Sequence, residues 1–215
     1  MLRRQPFDEL LEAFSSSDPT PGGGSASALA GAVGASLLAM VAGLPKTRHA
    51  AEEDRPALDD ARAALLALRD ALAELVDADT DAYDRVVAAF RLPKTTDEEK
   101  AARAAAVQAA LRGATETPLA VMRACEETIR HGGGVAARGN PSASSDVQVG
   151  LELAVAGLRG ARLNVEINLP SLKDAALVAE VKVEVEALAA AAEGGVAEAR
   201  ARLTEPPVAG QPAAC

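Results

Sequence analysis

Residues 19–46 read PTPGGGSASALAGAVGASLLAMVAGLPK and carry no charged side chain before Lys46. Three consecutive glycines precede a run of small and apolar residues that is long enough for one extended helix. Small residues recur at helical spacing on two adjacent stripes of this helix: Ser27, Gly31 and Ala35 on one, Ala30 and Gly34 on the other. Neighbouring helices can approach its backbone closely from several sides, which predicts a central buried helix.

The same run is also long enough to cross a bilayer. Its Ala, Gly and Ser content makes insertion energetically marginal, and neither a second apolar span nor a positive flank accompanies it. We therefore favour burial in a protein core over a membrane span. A bundle of this size has few ways to surround one helix completely, so we expect a second copy of the chain to cover the remaining side, giving a homodimer.

The composition favours an all-α fold. Of the 215 residues, 49% are hydrophobic but only 2% aromatic, so Ala, Leu and Val must fill the core, and these suit closely packed helices better than strands. The chain is predicted to form a single-domain helical bundle over residues 1–203, followed by a mobile Pro- and Ala-rich tail, residues 204–215. Apolar periodicity predicts helices at about 6–16, 25–44, 56–91, 97–131, 144–168 and 171–203.

Local signals set the expected ends of these helices. Ser25 is the predicted N-cap of the second helix. The fourth helix is expected to break or kink at Pro118 and to end at the glycines 132–134.

Charge and cysteine usage exclude several functions. The net charge of −9 opposes binding to nucleic acid. Cys125 and Cys215 are isolated thiols without a nearby metal-ligand pattern, which indicates a reducing compartment and no structural metal. The first residues enter an acidic amphipathic helix without the apolar core of a signal peptide, so we expect a cytoplasmic protein.

Gly22, Gly23 and Gly24, followed by Ser25, form the first candidate site. Unpaired N–H groups at the start of a helix can bind a carboxylate or a phosphate. The run matches neither the dinucleotide-binding nor the P-loop glycine pattern. The competing interpretation is a tight turn that allows close packing.

Asp79 is the second candidate, because it interrupts an apolar stripe on the third predicted helix. The stripe comprises Leu65, Leu68, Leu72, Leu75, Ala82, Val86 and Phe90. A carboxylate on a buried stripe costs several kcal/mol unless it is paired, and such a group suits a general acid or base. The alternative is a buried structural hydrogen bond to the end of another helix.

The fifth predicted helix carries Asp146 and Asn164 on one face, with Asn168 one turn further. Asp146 and Asn164 are about 27 Å apart along the axis, so they serve opposite ends of a long ligand or two different sites. Ser145 and Asp146 also suit N-capping of this helix.

Few other polar residues are candidates for a catalytic or ligand-binding role. Arg48 and Lys94 are exposed-looking bases that are candidates for holding an anionic ligand, and Lys46 is a third. We assign no catalytic role to His49 or His131.

Four separated segments together resemble the formiminotetrahydrofolate cyclodeaminase and methenyltetrahydrofolate cyclohydrolase family. They are PTPGGGSASALAGAVGASLLAMVAGL, VDADTDAYDRVVAAFRLPKTTDEEKAARAAAVQ, GNPSASSDVQV and GARLNVEINL. The resemblance, over about residues 7–203, implies an all-α homodimer with its active site near the subunit interface. It also implies a tetrahydrofolate derivative as substrate and no metal or redox cofactor.

The resemblance also implies roles for individual residues. Asp79 falls on the family's Asp-Ala-Asp segment as acid/base, and Asp146 is the second catalytic candidate. The implied substrate-binding residues are the glycine loop with Ser25, Arg48, Lys94 on the LPK motif, Asn140 and Ser145 on the GN…SD motif, and Asn164 and Asn168 on the NVxIN motif. Relatives commonly continue the uncharged helix with Thr, Gly, several Lys and an aromatic residue, whereas here residues 44–51 read LPKTRHAA.

The sequence motifs lean towards cyclodeamination, in which 5-formiminotetrahydrofolate loses ammonia and gives 5,10-methenyltetrahydrofolate. The reaction of the cyclohydrolases, which converts 5,10-methenyl- to 10-formyltetrahydrofolate, is the first alternative. A helical dimer that binds folate or a protein without catalysis is another, and hydrolysis of an unrelated small substrate is a third.

Overall fold

The computed structural model describes residues 1–49, 51 and 53–204. Within them the chain forms six α-helices and no strand, which confirms the all-α, single-domain prediction. The helices are α1 (Phe7–Ser15), α2 (Gly23–Ala42), α3 (Asp54–Phe90), α4 (Asp97–Arg138), α5 (Ser144–Asn168) and α6 (Ala175–Thr204). Short 3-10 turns occupy Leu2–Arg4, Pro141–Ala143 and Leu169–Ser171. Residues 205–215 of the predicted tail lie outside the described residues.

Helix α2 lies at the centre of the bundle and packs mainly against α5 and α3. Glycines on both helices let the backbones of α2 and α5 come into contact. A Cβ at Gly34 would lie 2.7 Å from the carbonyl oxygen of Gly150, and one at Gly157 would lie 2.7 Å from the carbonyl oxygen of Ser27. Neither distance is compatible with a side chain. The small-residue stripes of the sequence therefore mark the helix crossing, as predicted.

One side of α2 is not covered by any of the residues that the structure describes. Ala26, Val33 and Met40 follow one another at helical spacing and are exposed, and no charged residue interrupts them. With a mean hydropathy of 1.7, α2 is long and apolar enough for a membrane span, but 61% of its most apolar window is buried in the bundle. This is the behaviour of a core helix with one open face.

The apolar stripe of α3 follows the predicted register except at its end. Leu65 and Leu72 are fully buried, whereas Phe90 is 51% exposed and lies under the guanidinium group of Arg103. The seven-residue repeat that passes through Ala82 and Val86 reaches Ala89, which joins a small cluster with Val107 and Leu111 on α4. The assignment of Phe90 to the core was therefore wrong by one residue.

Helix α4 is longer than predicted, because neither Pro118 nor the glycines 132–134 end it. At Gly132 a Cβ would lie 2.8 Å from Leu151 Cδ2 and 3.0 Å from Leu38 Cδ1, so the missing side chain makes room for α2 and α5. Tertiary packing outweighs the poor helix propensity of glycine here. The helix ends at Arg138, before Gly139.

The helix crossing yields the first prediction. We expect Gly157→Ala to lower the free energy of unfolding by about 1–3 kcal/mol, because the new Cβ must push α2 and α5 apart. The matched control is Gly113→Ala in α4, where a Cβ would meet nothing within 4 Å. That variant should gain about 0.5–1 kcal/mol. Urea denaturation of both variants measures the difference, and equal effects would contradict the proposed crossing.

Candidate active site

A cleft of about 350 Å³ opens at the N-terminal end of α2. The loop before α2 forms one wall, and α3, α4 and α5 provide the others. Six residues predicted from the sequence line it together: Gly22, Gly23, Gly24, Asp79, Asn164 and Asn168. The structure thus brings half of the predicted site residues to one place.

Asp79 caps α2 from the neighbouring helix. Its Oδ2 accepts a hydrogen bond from the backbone N–H of Ser25 at 2.8 Å and lies 2.9 Å from the Ser25 hydroxyl oxygen. The N-cap position is Gly22, which has no side chain to do this, so the prediction of Ser25 as N-cap was wrong. Of the two interpretations of Asp79, the hydrogen bond to a helix end is observed, and the carboxylate also lines the cleft.

The three glycines at the start of α2 have different packing demands. A Cβ at Gly24 would lie 2.6 Å from Cγ of Asp79, so only glycine lets the carboxylate reach the helix end. At Gly23 the nearest atom would be Nδ2 of Asn164 at 3.3 Å, and at Gly22 only the carbonyl oxygen of Pro19 at 3.8 Å. Close packing, the alternative interpretation of the loop, is therefore required at Gly24 and not at Gly22.

Asn168 compensates for the proline inside α4. Pro118 has no N–H and cannot bond to the carbonyl oxygen of Ala114, four residues earlier. The side-chain amide of Asn168 donates to that oxygen at 2.8 Å. This bond ties α5 to α4 at the wall of the cleft and explains why α4 continues through Pro118.

Both asparagines present the same end of the amide to a ligand. Asn164 Nδ2 donates to the carbonyl oxygen of Gly160 at 2.9 Å, as Asn168 Nδ2 does to Ala114. A carbonyl only accepts, so the amide orientation is fixed, and neither Oδ1 accepts a bond from the described residues. With Oδ1 of Asp79, the cleft offers three acceptors to a ligand that carries N–H donors.

Tyr83 was missed in the sequence. It is the single tyrosine of the chain, lies four residues after Asp79 on α3 and lines the same cleft. The spacing alone could have found it, because residues four apart share one helix face. Ile167, an exposed apolar residue between the two asparagines, also lines the cleft.

Asp146, Ser145 and Asn140 do not line this cleft; they lie at the opposite end of α5. Neither Ser145 nor Asp146 caps α5, because its N-cap position is Ala143 and no side chain bonds there, so the N-capping interpretation was wrong. The short turn before α5 begins earlier, at Asn140, whose Oδ1 accepts from the N–H of Ser142 at 3.0 Å.

The two predicted anion-binding bases also lie outside the cleft. Lys94 is exposed in the loop between α3 and α4. Arg48 is only 4% exposed, so its expected exposure was wrong. Its backbone N–H donates to the carbonyl oxygen of Arg138 at 2.8 Å, which holds the loop against the end of α4.

A second cavity of about 630 Å³ lies between α4, α6 and the start of α3. It is lined by both acidic and basic side chains, including Asp54, Glu126 and Arg138, and by none of the predicted site residues. Burial raises the pKa of the Glu126 carboxyl group, and the neighbouring Glu127 raises it further. Within the described ranges, no three His, Cys, Asp or Glu residues are grouped to hold a metal ion.

Comparison with known proteins gives consistent matches. A family model described as formiminotransferase-cyclodeaminase matches residues 6–187. The methenyltetrahydrofolate cyclohydrolase of Methylorubrum extorquens is 42% identical over 192 residues, which cover 89% of this chain and 92% of that protein. The formimidoyltransferase-cyclodeaminase of Sus scrofa is 33% identical over 187 residues, 87% of this chain but only 35% of that protein.

A solved structure agrees with these matches. The crystal structure of formiminotetrahydrofolate cyclodeaminase from Thermotoga maritima aligns with a TM-score of 0.84 at 25% sequence identity. The alignment covers 94% of this chain and 98% of that one.

The bond across the cleft wall yields the second prediction. Asn168→Ala should cost about 1–3 kcal/mol of unfolding free energy, because the Ala114 carbonyl loses its partner. In a Pro118→Ala background residue 118 regains an N–H for that carbonyl, and most of this cost should disappear. Chemical denaturation of the four proteins measures the coupling.

Asn164→Ala is the matched control for this cycle, because its amide bonds to a carbonyl of its own helix. Its cost should be the same with proline or alanine at position 118. If Asn168→Ala costs as much in the Pro118→Ala background as in the natural chain, the compensation is refuted.

Proposed function

The chain belongs to the formiminotransferase-cyclodeaminase family, and on that basis we propose that it is a folate one-carbon enzyme whose cleft at the start of α2 holds the reacting carbon. That carbon is the one bound by N5 and N10 of tetrahydrofolate. The observation that carries the proposal is Asp79, a carboxylate held by α2 and the single charged side chain among the residues that line the cleft.

We propose hydrolysis of 5,10-methenyltetrahydrofolate to 10-formyltetrahydrofolate as the principal reaction. The support is the 42% identity, over nearly the whole length of both chains, to a methenyltetrahydrofolate cyclohydrolase. Cyclodeamination of 5-formiminotetrahydrofolate, which the sequence motifs favour, is the second candidate. It is supported by the structural similarity to a cyclodeaminase of nearly the same extent.

Both reactions make the same demand on one side chain. In hydrolysis, Asp79 takes one proton from the water that attacks the cationic methenyl carbon and returns it to N5 as the C–N5 bond breaks. The second proton of the water is released to solvent as the formyl C=O bond forms. In cyclodeamination, Asp79 takes the N10 proton as N10 attacks the formimino carbon and then gives it to the departing ammonia. A single carboxylate near the tetrahedral carbon serves as base and then as acid.

The acceptors of the cleft suit the pterin end of a folate. The pterin ring carries N–H donors along one edge, and the cleft offers Oδ1 of Asn164 and of Asn168, whose orientation is fixed because each Nδ2 donates one hydrogen bond to a backbone carbonyl. A site built from acceptors rejects analogues that lack the matching donors, because its buried oxygens are then unpaired. Lys94 is exposed but has no position in this cleft within one subunit, so its proposed contact with the anionic end of the ligand depends on a second subunit. Arg48 is buried and is not part of this proposal.

We propose that the open face of α2 forms a two-fold interface with a second copy. Val33 lies in the middle of this face, and α5, which packs against α2, also carries the exposed apolar residues Val149, Leu163 and Ile167. Monomeric proteins rarely leave a long uncharged helix face exposed to water. In a closed dimer the same face meets itself, and two copies of α2 cross near Val33.

Such a dimer would complete the cleft. Helices α2 and α5 run antiparallel, since Gly23 lies beside Asn164 and Gly34 beside Gly150. A two-fold axis near Val33 and perpendicular to α2 would therefore place the N-terminal end of the partner's α5 close to the cleft. This accounts for the separation of Asp146, Ser145 and Asn140 from Asp79, because each cleft would use one group of residues from each subunit.

An absorbance assay tests the function. We expect the protein to consume 5,10-methenyltetrahydrofolate, seen as loss of the methenyl absorbance, and we also supply 5-formiminotetrahydrofolate, from which that absorbance would rise. Asp79→Asn should lower kcat by about 100-fold or more, because the amide can accept the cap bond but cannot carry the proton. Its melting temperature should change little.

Two outcomes of this assay would contradict the proposal. If the natural protein converts neither substrate, the chain lacks the proposed activity and is a binding protein of this fold. Near-normal turnover by Asp79→Asn would remove this carboxylate from the mechanism.

The interface gives a separate prediction. Val33→Glu places a charge on the apolar face and should convert the dimer to a monomer, measured by light scattering, with loss of turnover. Val183→Glu is the matched control, since Val183 on α6 is 72% exposed and Val33 is 46% exposed. The control should keep both assembly and turnover. A monomeric Val33→Glu that keeps full activity would show that the cleft needs no partner.

A further inference from the structure

The hydroxyl group of Ser25 lies between two hydrogen-bond acceptors but has one hydrogen to donate. Its oxygen is 2.9 Å from Oδ2 of Asp79 and 3.0 Å from the carbonyl oxygen of Val76 on the same helix as Asp79. Ser25 is 0% exposed and is absent from the lining of the cleft, so it reaches the ligand only through Asp79. Since a hydroxyl donates once and accepts twice, only one of the two contacts can use its hydrogen at a time.

We propose that Ser25 is a positioning residue whose hydroxyl turns between Asp79 and Val76 as Asp79 loses and regains the catalytic proton. This inference rests on the proposed function of Asp79 as the proton carrier. It assigns to Ser25 a role in proton handling, rather than the substrate contact expected from the glycine loop.

The two states differ in the direction of one hydrogen bond. When Asp79 is ionised, its Oδ2 accepts from both the N–H and the O–H of Ser25, and such charge-assisted bonds stabilise the anion. When Asp79 has taken a proton at the cleft-facing Oδ1, its Oδ2 is no longer charged and accepts more weakly, so the Ser25 hydrogen turns to the carbonyl of Val76. The Ser25 hydrogen has an acceptor in both states, and the backbone N–H of Ser25 still donates to Oδ2.

This arrangement matches what the reaction needs. A carboxylate that takes a proton and then returns it must be held in one position in both protonation states. A partner that could donate only to Asp79 would favour the anion and hinder protonation, whereas the Ser25 hydroxyl has a second acceptor in the carbonyl of Val76. The backbone N–H of Ser25 alone would suffice to cap α2, so the hydroxyl is the part available for this second role.

The test compares Ser25→Ala with Ser25→Thr, which keeps the hydroxyl, in the full-length protein. Ser25→Ala should lower kcat by about tenfold while KM stays within about twofold, because the hydroxyl does not touch the substrate. Ser25→Thr should recover most of kcat. Ser36→Ala is the control for losing a serine hydroxyl from α2, and it should keep normal kcat. Among the described residues, the Ser36 hydroxyl bonds only to the carbonyl oxygen of Ala32.

The decisive measurement is the same substitution in the Asp79→Asn background. If the hydroxyl acts through the proton on Asp79, Ser25→Ala should have no further effect on kcat there, whereas a structural role would lower kcat equally in both backgrounds. This comparison distinguishes a role in proton handling from a structural role even if Ser25→Thr does not fold.

Three results would overturn the inference: unchanged kcat in Ser25→Ala, a raised KM at constant kcat, or an equal loss in both backgrounds. Failure of the proposed function looks different. It would be seen in proteins that keep Ser25, either as no turnover by the natural protein or as full turnover by Asp79→Asn.

Discussion

The carboxylate of Asp79 bonded to the first turn of α2 is the contact on which the arrangement of the cleft depends. Helix α2 begins with glycines and has no side chain of its own at its N-cap position, so its free N–H groups need an acceptor from elsewhere. Asp79 supplies it across the interface between α2 and α3, and Gly24 has to lack a Cβ for this contact to form. The same requirement that completes the helix end therefore places an ionisable oxygen beside the cleft.

Much of this architecture can be predicted from the sequence, because it follows from local periodicity. The ends of α1, α2, α3 and α5 lie within about two residues of their expected positions, since apolar spacing and prolines mark them. Asp79 stands out for the same reason, as a charge at an apolar position. The end of α4 could not be found in this way, because Gly132 is explained only by Leu38 and Leu151, which are distant in sequence.

The parts that the sequence missed share a physical cause. Arg48 looks exposed because it is charged and lies in a loop, and only the fold shows that this loop packs against the end of α4. The hydrogen bond from Asn168 to Ala114 joins two helices through residues that are 54 positions apart in the sequence, so no local sequence pattern indicates it. The division of the predicted site between the two ends of α5 was visible in the spacing, but which end holds the cleft was not.

Pro118 has a consequence beyond the shape of its own helix. Because it removes one backbone donor from α4, it commits the amide nitrogen of Asn168 and leaves the oxygen for the ligand. A backbone defect in one helix thus sets the chemical polarity that another helix shows to a bound molecule. In a relative with an ordinary residue at this position, the same asparagine would be free to rotate and could recognise an acceptor instead, so ligand preference could change through a residue that never meets the ligand.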